Sequence, residues 1–408
     1  MIVRPWHSHR HDLAHIVMRT LRPMDMADLP RELDAEAAPI PQTPRVLLFS
    51  ERNIYEREVW RCPINEFEGV LQELDAIDVL APKPAKWYPL GKRIAARHGR
   101  KFRTPLNPGI PKTVLKKDYD VFFAVCEKPS ELLNVNSVRG WKDRCKMSFC
   151  WLTEFWVKDM ATHRSCLEVL SQFDFVLSFI PRLDPFRRVV KGQCMYLPGA
   201  IDAFRFCPYP DPPRRSIDLL SIGRRSERTH RALLEMADLD RFFYVYDTFS
   251  NLAAHNLNQH RMLLTNMAKR SRYFIANPGK IDSPAETDQT SEFGCRHFEG
   301  AAAGALIIGE RPRNCEFERI FHWQDALIDL PFDGENIGGI MRELDKQPER
   351  QVAARRNNMV QMLLHHDWAY RWEYVLNLAN IPPAPQLLKR KQRLKQLADF
   401  VAQAPIEP

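Results

Sequence analysis

Glycine is scarce in this sequence, at 16 of 408 residues, whereas proline is plentiful at 31. This excludes glycine-rich repeats and indicates many stiff connections. The nine cysteines are scattered and none forms a C-x-x-C pair, which excludes a zinc ribbon and a thioredoxin motif. No apolar run approaches the roughly 20 residues of a membrane span, and the first residues lack the apolar stretch of a secretory signal. We therefore expect a reducing, cytoplasmic compartment.

The remaining composition is that of a folded protein, with 45% hydrophobic and 27% charged residues. A chain of 408 residues is long enough for two domains, each with its own core. The net charge of +8 suits an anionic partner: a nucleotide diphosphate, an anionic lipid headgroup or nucleic acid. Charge alone does not choose among the three.

Residues 1–44 form an irregular arm in this interpretation, punctuated by prolines after a histidine cluster. The cluster consists of His7, His9, His11 and His15. Its spacing matches no established set of metal ligands. We therefore predict a solvated tail and no metal site.

Residues 45–205 alternate short apolar runs with helical or loop segments. A helix is predicted around 64–74, where apolar residues recur with helical spacing. The predicted strands lie at 46–49, 120–125, 147–151, 173–177 and 195–197. This alternation is typical of a parallel sheet covered on both faces, so we predict a first Rossmann-like domain.

A second α/β series, residues 215–380, follows a stiff linker at 206–214 that contains four prolines. Its predicted strands lie at 217–223, 242–246, 273–276, 305–308 and 326–330. Its predicted helices lie at 227–236, 262–268, 295–303, 337–344, 348–364 and 368–378. The sequence thus predicts two Rossmann-like domains facing a cleft, and ligands of such sheets bind outside the carboxyl ends of the strands.

The tail, residues 381–408, has leucines on one helical face and a crowd of basic residues on the other. A basic amphipathic helix of this kind can lie on an anionic membrane surface. The alternative, which we favour, is a helix that packs back on the first domain with its charged face in solvent.

The segment 291–308 carries the most specific chemistry. Gly294 opens a helix, and the free N–H groups there, including those of Cys295 and Arg296, form an anion site. Glu299 follows about one turn later, where its carboxylate can accept hydrogen bonds from the vicinal hydroxyls of a ribose. The alternative is an ordinary buried helix with a stray glutamate.

This segment resembles the E-x7-E region of GT-B glycosyltransferases, and it is most similar to the group-one enzymes related to the spore maturation protein CgeB. The resemblance continues at 197–204, 217–225, 316–317 and 365–371, so that it covers about 195–380. It implies a GT-B architecture, with a nucleotide-sugar donor domain at 215–380 and an acceptor domain at 45–205.

The resemblance also assigns roles to single residues. Glu299 matches the glutamate that binds the ribose, and Gly294 matches the turn that holds the diphosphate. Arg224 and Arg225, after the Gly223 turn, match the basic position that binds the diphosphate. Their guanidinium groups would stabilise the charge on the leaving nucleotide.

The first glutamate of the family motif falls on Ser291 in this sequence. Glu292 stands one place later, so the interval to Glu299 is seven residues instead of eight. We place Glu292 near the sugar, but this departure weakens any inference of a retaining mechanism.

Three further residues complete the predicted site. Lys280 follows a strand end and faces the phosphates. Glu154 follows a strand beside tryptophans, where it is a candidate acceptor base, and Glu127 is a comparable candidate. The alternative for Glu154 is a loop position among core tryptophans. The predicted catalytic residues are thus Glu154, Glu292 and Arg225. The predicted donor-binding residues are Gly223, Arg224, Arg225, Lys280, Gly294, Cys295, Arg296 and Glu299.

The predicted function is transfer of a sugar from a nucleoside-diphosphate sugar, the co-substrate, to a hydroxyl of a glycan, a lipid-linked acceptor or a small molecule. We expect no metal and no other cofactor, because arginines and helix N–H groups replace the metal. The D-x-D sequence at 238–240 lies in a polar turn. Three alternatives stay open: a nucleotide-sugar epimerase, a catalytically silent GT-B binding protein, and, ranked lowest, a nucleic-acid-binding protein.

Overall fold

The computed structural model describes residues 43–239, 241–248 and 253–407. The four histidines of the predicted arm and Asp240 of the D-x-D sequence lie outside the described residues. All structural statements below concern the described part of the chain.

Two parallel sheets organise the fold. The strands of the first sheet are β1 Val46–Phe49, β2 Ile77–Leu80, β4 Tyr119–Cys126, β6 Cys145–Leu152, β7 Phe175–Ser178 and β8 Gln193–Tyr196, and they lie in the order β2-β1-β4-β6-β7-β8. The strands of the second sheet are β9 Ile217–Ser221, β10 Tyr244–Tyr246, β11 Ser271–Ile275, β12 Leu306–Gly309 and β13 Ile328–Asp329, and they lie in the order β10-β9-β11-β12-β13. Every strand pair within them is parallel. A small separate sheet pairs β3 (Thr113–Val114) with β5 (Val138–Arg139).

Helices connect the strands and cover both sheets. Those up to the second sheet are α1 Cys62–Leu74, α2 Tyr88–Phe102, α3 Leu132–Val135, α4 Trp141–Arg144, α5 Arg164–Leu170, α6 Asp184–Arg187 and α7 Ala203–Phe206. The later ones are α8 Glu227–Leu239, α9 Leu257–Lys269, α10 Cys295–Ala302, α11 Cys315–Ile320, α12 Ile337–Asp345, α13 Pro348–His365, α14 Trp368–Leu378 and α15 Pro385–Gln403.

The predicted fold class is confirmed: the chain is α/β, with two Rossmann-like parallel sheets. Strand β1 has the continuous apolar sequence VLLF, and all four of its residues are buried. This is expected for a parallel strand that is covered on both faces. Strands β2, β3 and β5 were not predicted. All of β2 is only half-buried and contains Asp78, and β3 and β5 have two residues each.

The chain passes from the first sheet to the second near Ile201 and returns to the first near Asp367. These two crossings lie side by side. The Ile201 N–H donates to the His366 carbonyl at 3.0 Å, and the Trp368 N–H donates to the Ile201 carbonyl at 3.1 Å. After the second crossing, Trp368 packs against Phe67 of α1 at 5.1 Å between ring centroids. Helix α14 therefore belongs to the core of the first sheet, although its residues fall within the predicted range 215–380. The domain boundaries themselves stay a prediction.

One guanidinium group fastens both crossings. Arg390 of α15 donates to both carboxylate oxygens of Asp367 at 2.8 Å and to Asp202 at 2.7 Å. Asp367 also caps α14 by accepting the Ala369 N–H at 2.9 Å, and its side chain is fully buried. Asp202 and Asp367 stand at the first and second crossing, so Arg390 holds the crossings together.

The prediction placed the C-terminal helix against the first domain, whereas the apolar face of α15 packs against both sheets. Leu387 is buried in the core of the first sheet, whereas Leu394 and Val401 are buried in the core of the second. Since these side chains are covered by protein, they are not available to a membrane surface. Within the described residues, no helix is both long and apolar enough to cross a membrane.

We predict that Arg390→Ala lowers the free energy of unfolding by about 3 kcal/mol, because it leaves the buried Asp367 without a cation and Asp202 with only Arg205, 3.5 Å away. Urea unfolding at neutral pH measures this change. Lys395→Ala is the matched control, since Lys395 is an exposed cation on the same helix. Equal stability of the two variants would contradict the structural role assigned to Arg390.

Candidate functional site

A cavity of about 590 Å³ lies at the carboxyl ends of both sheets. From the first sheet, Glu127 and Glu154 reach it just after β4 and β6. From the second sheet, Arg224 and Lys280 reach it after β9 and β11, and the first residues of α10 complete that side. Parallel strands deliver their carboxyl ends to one edge of a sheet, which is where ligands of open α/β sheets bind.

Most of the predicted site residues meet in this cavity. Those that line it are Glu154, Gly223, Arg224, Lys280, Glu292, Gly294, Cys295 and Arg296. Glu299 and Arg225 do not line it. Their roles in catalysis and donor binding, like those of the lining residues, stay predictions.

The two cations beyond the strand ends of the second sheet already hold carboxylates. Arg224 pairs with Asp282 at 2.5 Å. Lys280 pairs with Glu154 at 2.5 Å and with Glu286 at 3.2 Å. The Lys280–Glu154 pair joins the two sides of the cavity.

Helix α10 starts at the cavity wall. Gly294 is its N-cap, in an extended conformation, and the first N–H groups of a helix have no partner within it. Cys295 stands at the first helical position, and burial raises the pKa of its thiol to about 12. The thiol is therefore neutral, so this end of the helix offers N–H donors and the Arg296 side chain but no thiolate.

Glu299 lies behind the cavity wall in a buried ion-pair chain. Its carboxylate accepts hydrogen bonds from Arg296, which lines the cavity, and from Arg261 of α9. Arg261 also donates to Glu66 of α1 at 2.7 Å. Burial alone would raise the pKa of Glu299, but the charges of Arg296 and Arg261 outweigh burial and hold that pKa at about 2. Glu299 is thus a permanent anion that positions Arg296.

Arg225 points to a different environment from its neighbour Arg224. It donates to the Asp247 side chain and to the Asp247 carbonyl, both at 2.8 Å. Its guanidinium group lies 5.1 Å from the ring centre of Tyr246. Gly223, with φ at +94°, makes the turn that precedes the two arginines, a conformation that favours glycine.

Glu292 is a buried carboxyl group of the predicted site with a raised pKa. It is 4% exposed and accepts a hydrogen bond from the Asn314 side chain at 2.7 Å. Burial raises the pKa of Glu292 to about 8, the Asn314 bond opposes this, and the charge of Glu316 adds to it. At neutral pH this carboxyl group is protonated, so it can donate a hydrogen bond to a ligand in the cavity.

Glu127 lines the first-sheet side of the cavity. Burial, followed by the charge of Glu131, raises its pKa well above the usual value, and the charge of Arg61 opposes the rise. Arg61 is fully buried within 4 Å of Glu51 and Glu131. This buried network leaves Glu127 protonated more readily than an ordinary glutamate.

Sequence reasoning missed two residues of the first-sheet wall, Trp60 and Lys128, whereas it placed Trp156 beside Glu154. Trp60 lies under the Lys128 ammonium group at 4.1 Å, and both line the cavity. The Trp156 indole N–H donates to Glu154 at 3.3 Å. Lys128 was detectable because it directly follows Glu127 at a strand end, whereas Trp60 precedes α1 and carries no local signal. These rings give the first-sheet side flat apolar surface.

One sequence family, described as glycosyl transferase-like, matches residues 247–377. The match confirms the predicted resemblance to glycosyltransferases for this segment, which contains Lys280, Glu292, α10 and Glu299. The narrower resemblance to the CgeB-related enzymes stays a prediction. No curated protein is similar enough in sequence to count as a match.

Several solved structures resemble the chain at low similarity. An α-glucosyltransferase bound to UDP-glucose and DNA with an abasic site is 10% identical over 82% of this chain and 99% of its own, with a TM-score of 0.44. Anabaena Alr3699/HepE with UDP and glucose is 8% identical over 83% of this chain and 100% of its own, with a TM-score of 0.46. SnogD from Streptomyces nogalater is 12% identical over 83% of this chain and 100% of its own, with a TM-score of 0.37. At these TM-scores the likenesses carry no further conclusion.

We predict that Glu292→Gln gains stability relative to the unmodified chain as pH rises from about 4.5 to 8. In this window the unfolded glutamate is ionised whereas the folded one keeps its proton, so only the unmodified chain loses stability, by up to about 1.4 kcal/mol per pH unit. Urea unfolding at pH 5, 6.5 and 8 measures the difference. Glu335→Gln, at an exposed position, is the control. A pH-independent difference between Glu292→Gln and the unmodified chain would show that Glu292 titrates normally.

Proposed function

We propose that this chain transfers a sugar from a nucleoside-diphosphate sugar to an acceptor hydroxyl in the cavity between its two sheets. The match of residues 247–377 to a glycosyl transferase-like family supports this proposal. The observation that carries the proposal is the convergence of Arg224, Lys280 and the start of α10 on one wall of that cavity, with Glu127 and Glu154 on the other.

The wall formed by the second sheet suits the donor. A diphosphate needs cations and N–H donors, and Arg224, Lys280 and the first turn of α10 supply both. Arg296 stands next to this turn, fixed by Glu299. Glu292, protonated at neutral pH because of its raised pKa, would donate a hydrogen bond to a hydroxyl of the sugar.

The wall formed by the first sheet suits the acceptor. Trp60 and Trp156 offer aromatic surface, on which the apolar face of a sugar ring packs. Glu154 and Glu127 are the carboxyl groups on this side. We assign Glu154 the role of base. Its carboxylate forms an ion pair with Lys280, and a bound diphosphate would compete for that lysine and free the carboxylate to accept a proton.

In the proposed step, the acceptor oxygen forms a bond to the anomeric carbon of the sugar. The bond from that carbon to the diphosphate oxygen breaks, and its electron pair stays on the leaving nucleoside diphosphate. The acceptor proton passes to Glu154. Arg224, Lys280 and the N–H groups of α10 stabilise the negative charge that grows on the leaving group.

We further propose that this step needs no bound metal, because the cations and helix N–H groups of the second-sheet wall provide the stabilisation that a metal supplies in other transferases. The proposed compartment is the cytoplasm. Any contact with an anionic membrane would use the exposed basic residues of α15, such as Lys395, since Leu387, Leu394 and Val401 of that helix are buried.

We predict that Arg224→Ala and Lys280→Ala each weaken the binding of the best nucleotide sugar at least about tenfold, because each removes a charge-assisted hydrogen bond to the diphosphate. A thermal-shift screen of nucleotide sugars selects the ligand, and calorimetry measures its affinity. Arg231→Ala is the matched control, since Arg231 is exposed and does not line the cavity. Unchanged affinity in both site variants would refute the donor site.

Turnover separates the alternatives. A transferase releases nucleoside diphosphate faster when an acceptor is added, and Glu154→Gln lowers that rate without weakening donor binding. Conversion of the donor sugar without an acceptor would instead indicate an epimerase. Tight binding with no turnover of any donor would indicate a silent binding protein.

A further inference from the structure

A second cavity, of about 710 Å³, lies beside the two chain crossings. No residue lines both cavities. Its volume is within the range of small-molecule sites. The basic side chains that line it are Arg187, Arg319, Arg371, His322, His365 and His366.

Arg371 contributes a buried cation to this cavity. Its guanidinium group donates to the Pro198 carbonyl at 3.0 Å, to the Gly199 carbonyl at 2.8 Å and to Nδ1 of His366 at 3.0 Å. Among the described residues, no carboxylate lies within 4 Å of it. Burial lowers its pKa to about 10. A buried guanidinium held only by neutral acceptors leaves an unbalanced positive charge beside the cavity.

Arg187 and Arg319 contribute exposed cations from the two sides of the molecule. Arg187 belongs to α6, which follows β7 of the first sheet, and Arg319 belongs to α11, which follows β12 of the second. Each holds one carboxylate three residues away, Asp184 at 3.0 Å and Glu316 at 2.6 Å. Exposed pairs such as Arg187–Asp184 are weak. Glu316 is half-buried and itself lines the cavity, so a ligand must carry more charge than this carboxylate to displace it from Arg319.

Three tyrosines shape the rest of the wall: Tyr196, Tyr370 and Tyr374. The Tyr196 hydroxyl is buried and has no hydrogen-bond partner among the described residues. Burial, followed by the charges of Glu292 and Glu316, raises the pKa of Tyr196, so its hydroxyl keeps its proton. It is therefore an unused donor, and unused buried donors are rare in folded proteins.

His365 and His366 add neutral polar groups. Burial lowers the pKa of His365 and of His366. His366 accepts a hydrogen bond from Arg371, which requires an unprotonated Nδ1. Neutral imidazoles of this kind can hydrogen-bond the hydroxyl groups of a ligand.

We propose that this second cavity is a binding site for a small phosphorylated molecule with a ring, such as a sugar phosphate. Arg187 and Arg319 would hold the phosphate, since the guanidinium fork matches phosphate oxygens. The tyrosines would contact the ring. The ligand would contact residues attached to both sheets, Arg187 on α6 and Arg319 on α11. Its binding would therefore also favour one relative position of the two sheets. The proposal does not depend on the proposed transferase activity.

The test is calorimetry on the full chain with glucose 6-phosphate as the probe. We expect saturable binding that survives Arg224→Ala combined with Lys280→Ala, since those residues line the other cavity. Arg187→Gln combined with Arg319→Gln should weaken it at least about tenfold. Both arginines are more than half exposed, so the variant should fold, which its melting curve checks. Arg231→Gln, an exposed control, should bind like the unmodified chain.

Four results would overturn the proposal. They are an absence of saturable binding, loss of binding in the Arg224 and Lys280 variant, an equal loss in Arg231→Gln, and glucuronate binding at least as tightly as glucose 6-phosphate. The last would show that the site takes carboxylates. Glucose without phosphate should not bind. Loss of nucleotide-sugar binding in the first cavity would leave these results unchanged, so the two proposals can fail separately.

Discussion

The buried ion-pair chain from Glu66 through Arg261 to Glu299 and Arg296 is the constraint on which the site depends. Glu66 lies on α1 and also accepts hydrogen bonds from the Asp202 N–H and the Trp368 indole, both at 2.9 Å. This row of ion pairs therefore begins beside both crossings, at Glu66, and ends at Arg296, which lines the first cavity. Two guanidinium groups balance two carboxylates, which makes burial of Glu66, Arg261 and Glu299 tolerable. Any shift between the sheets would disturb this balance.

Further contacts at the crossings attach α14 and α15 to the first sheet. Helix α14 packs its tryptophans on α1, and Arg390 fastens Asp202 and Asp367. Polar contacts thus fix the crossings while aromatic packing fills the space between them. The cavity walls are carried by strand ends and a helix start rather than by free loops, which favours precise placement of its charged groups.

Local features of the sequence predicted the site best. The α10 start and the strand ends before Glu154 and Lys280 were predictable, because each needs only a few neighbouring residues. Arg224 and Arg225 are adjacent, and sequence could not decide which one lines the cavity, since the Gly223 turn sets their directions. Arg261 was missed, although it occupies the apolar face of α9 beside Leu257, Leu264 and Ala268. Its partners are distant in sequence, so only the folded chain reveals its role.

The pairing of Arg224 with Asp282 and of Lys280 with Glu154 has a consequence for selectivity. These two ion pairs exert little long-range attraction on passing anions, because the fields of two opposite charges a few ångströms apart largely cancel at a distance. Chloride or a single carboxylate gains nothing by replacing a tethered carboxylate. A ligand with two adjacent phosphates can replace both at once. These ion pairs would therefore select ligands by the number and spacing of their charges.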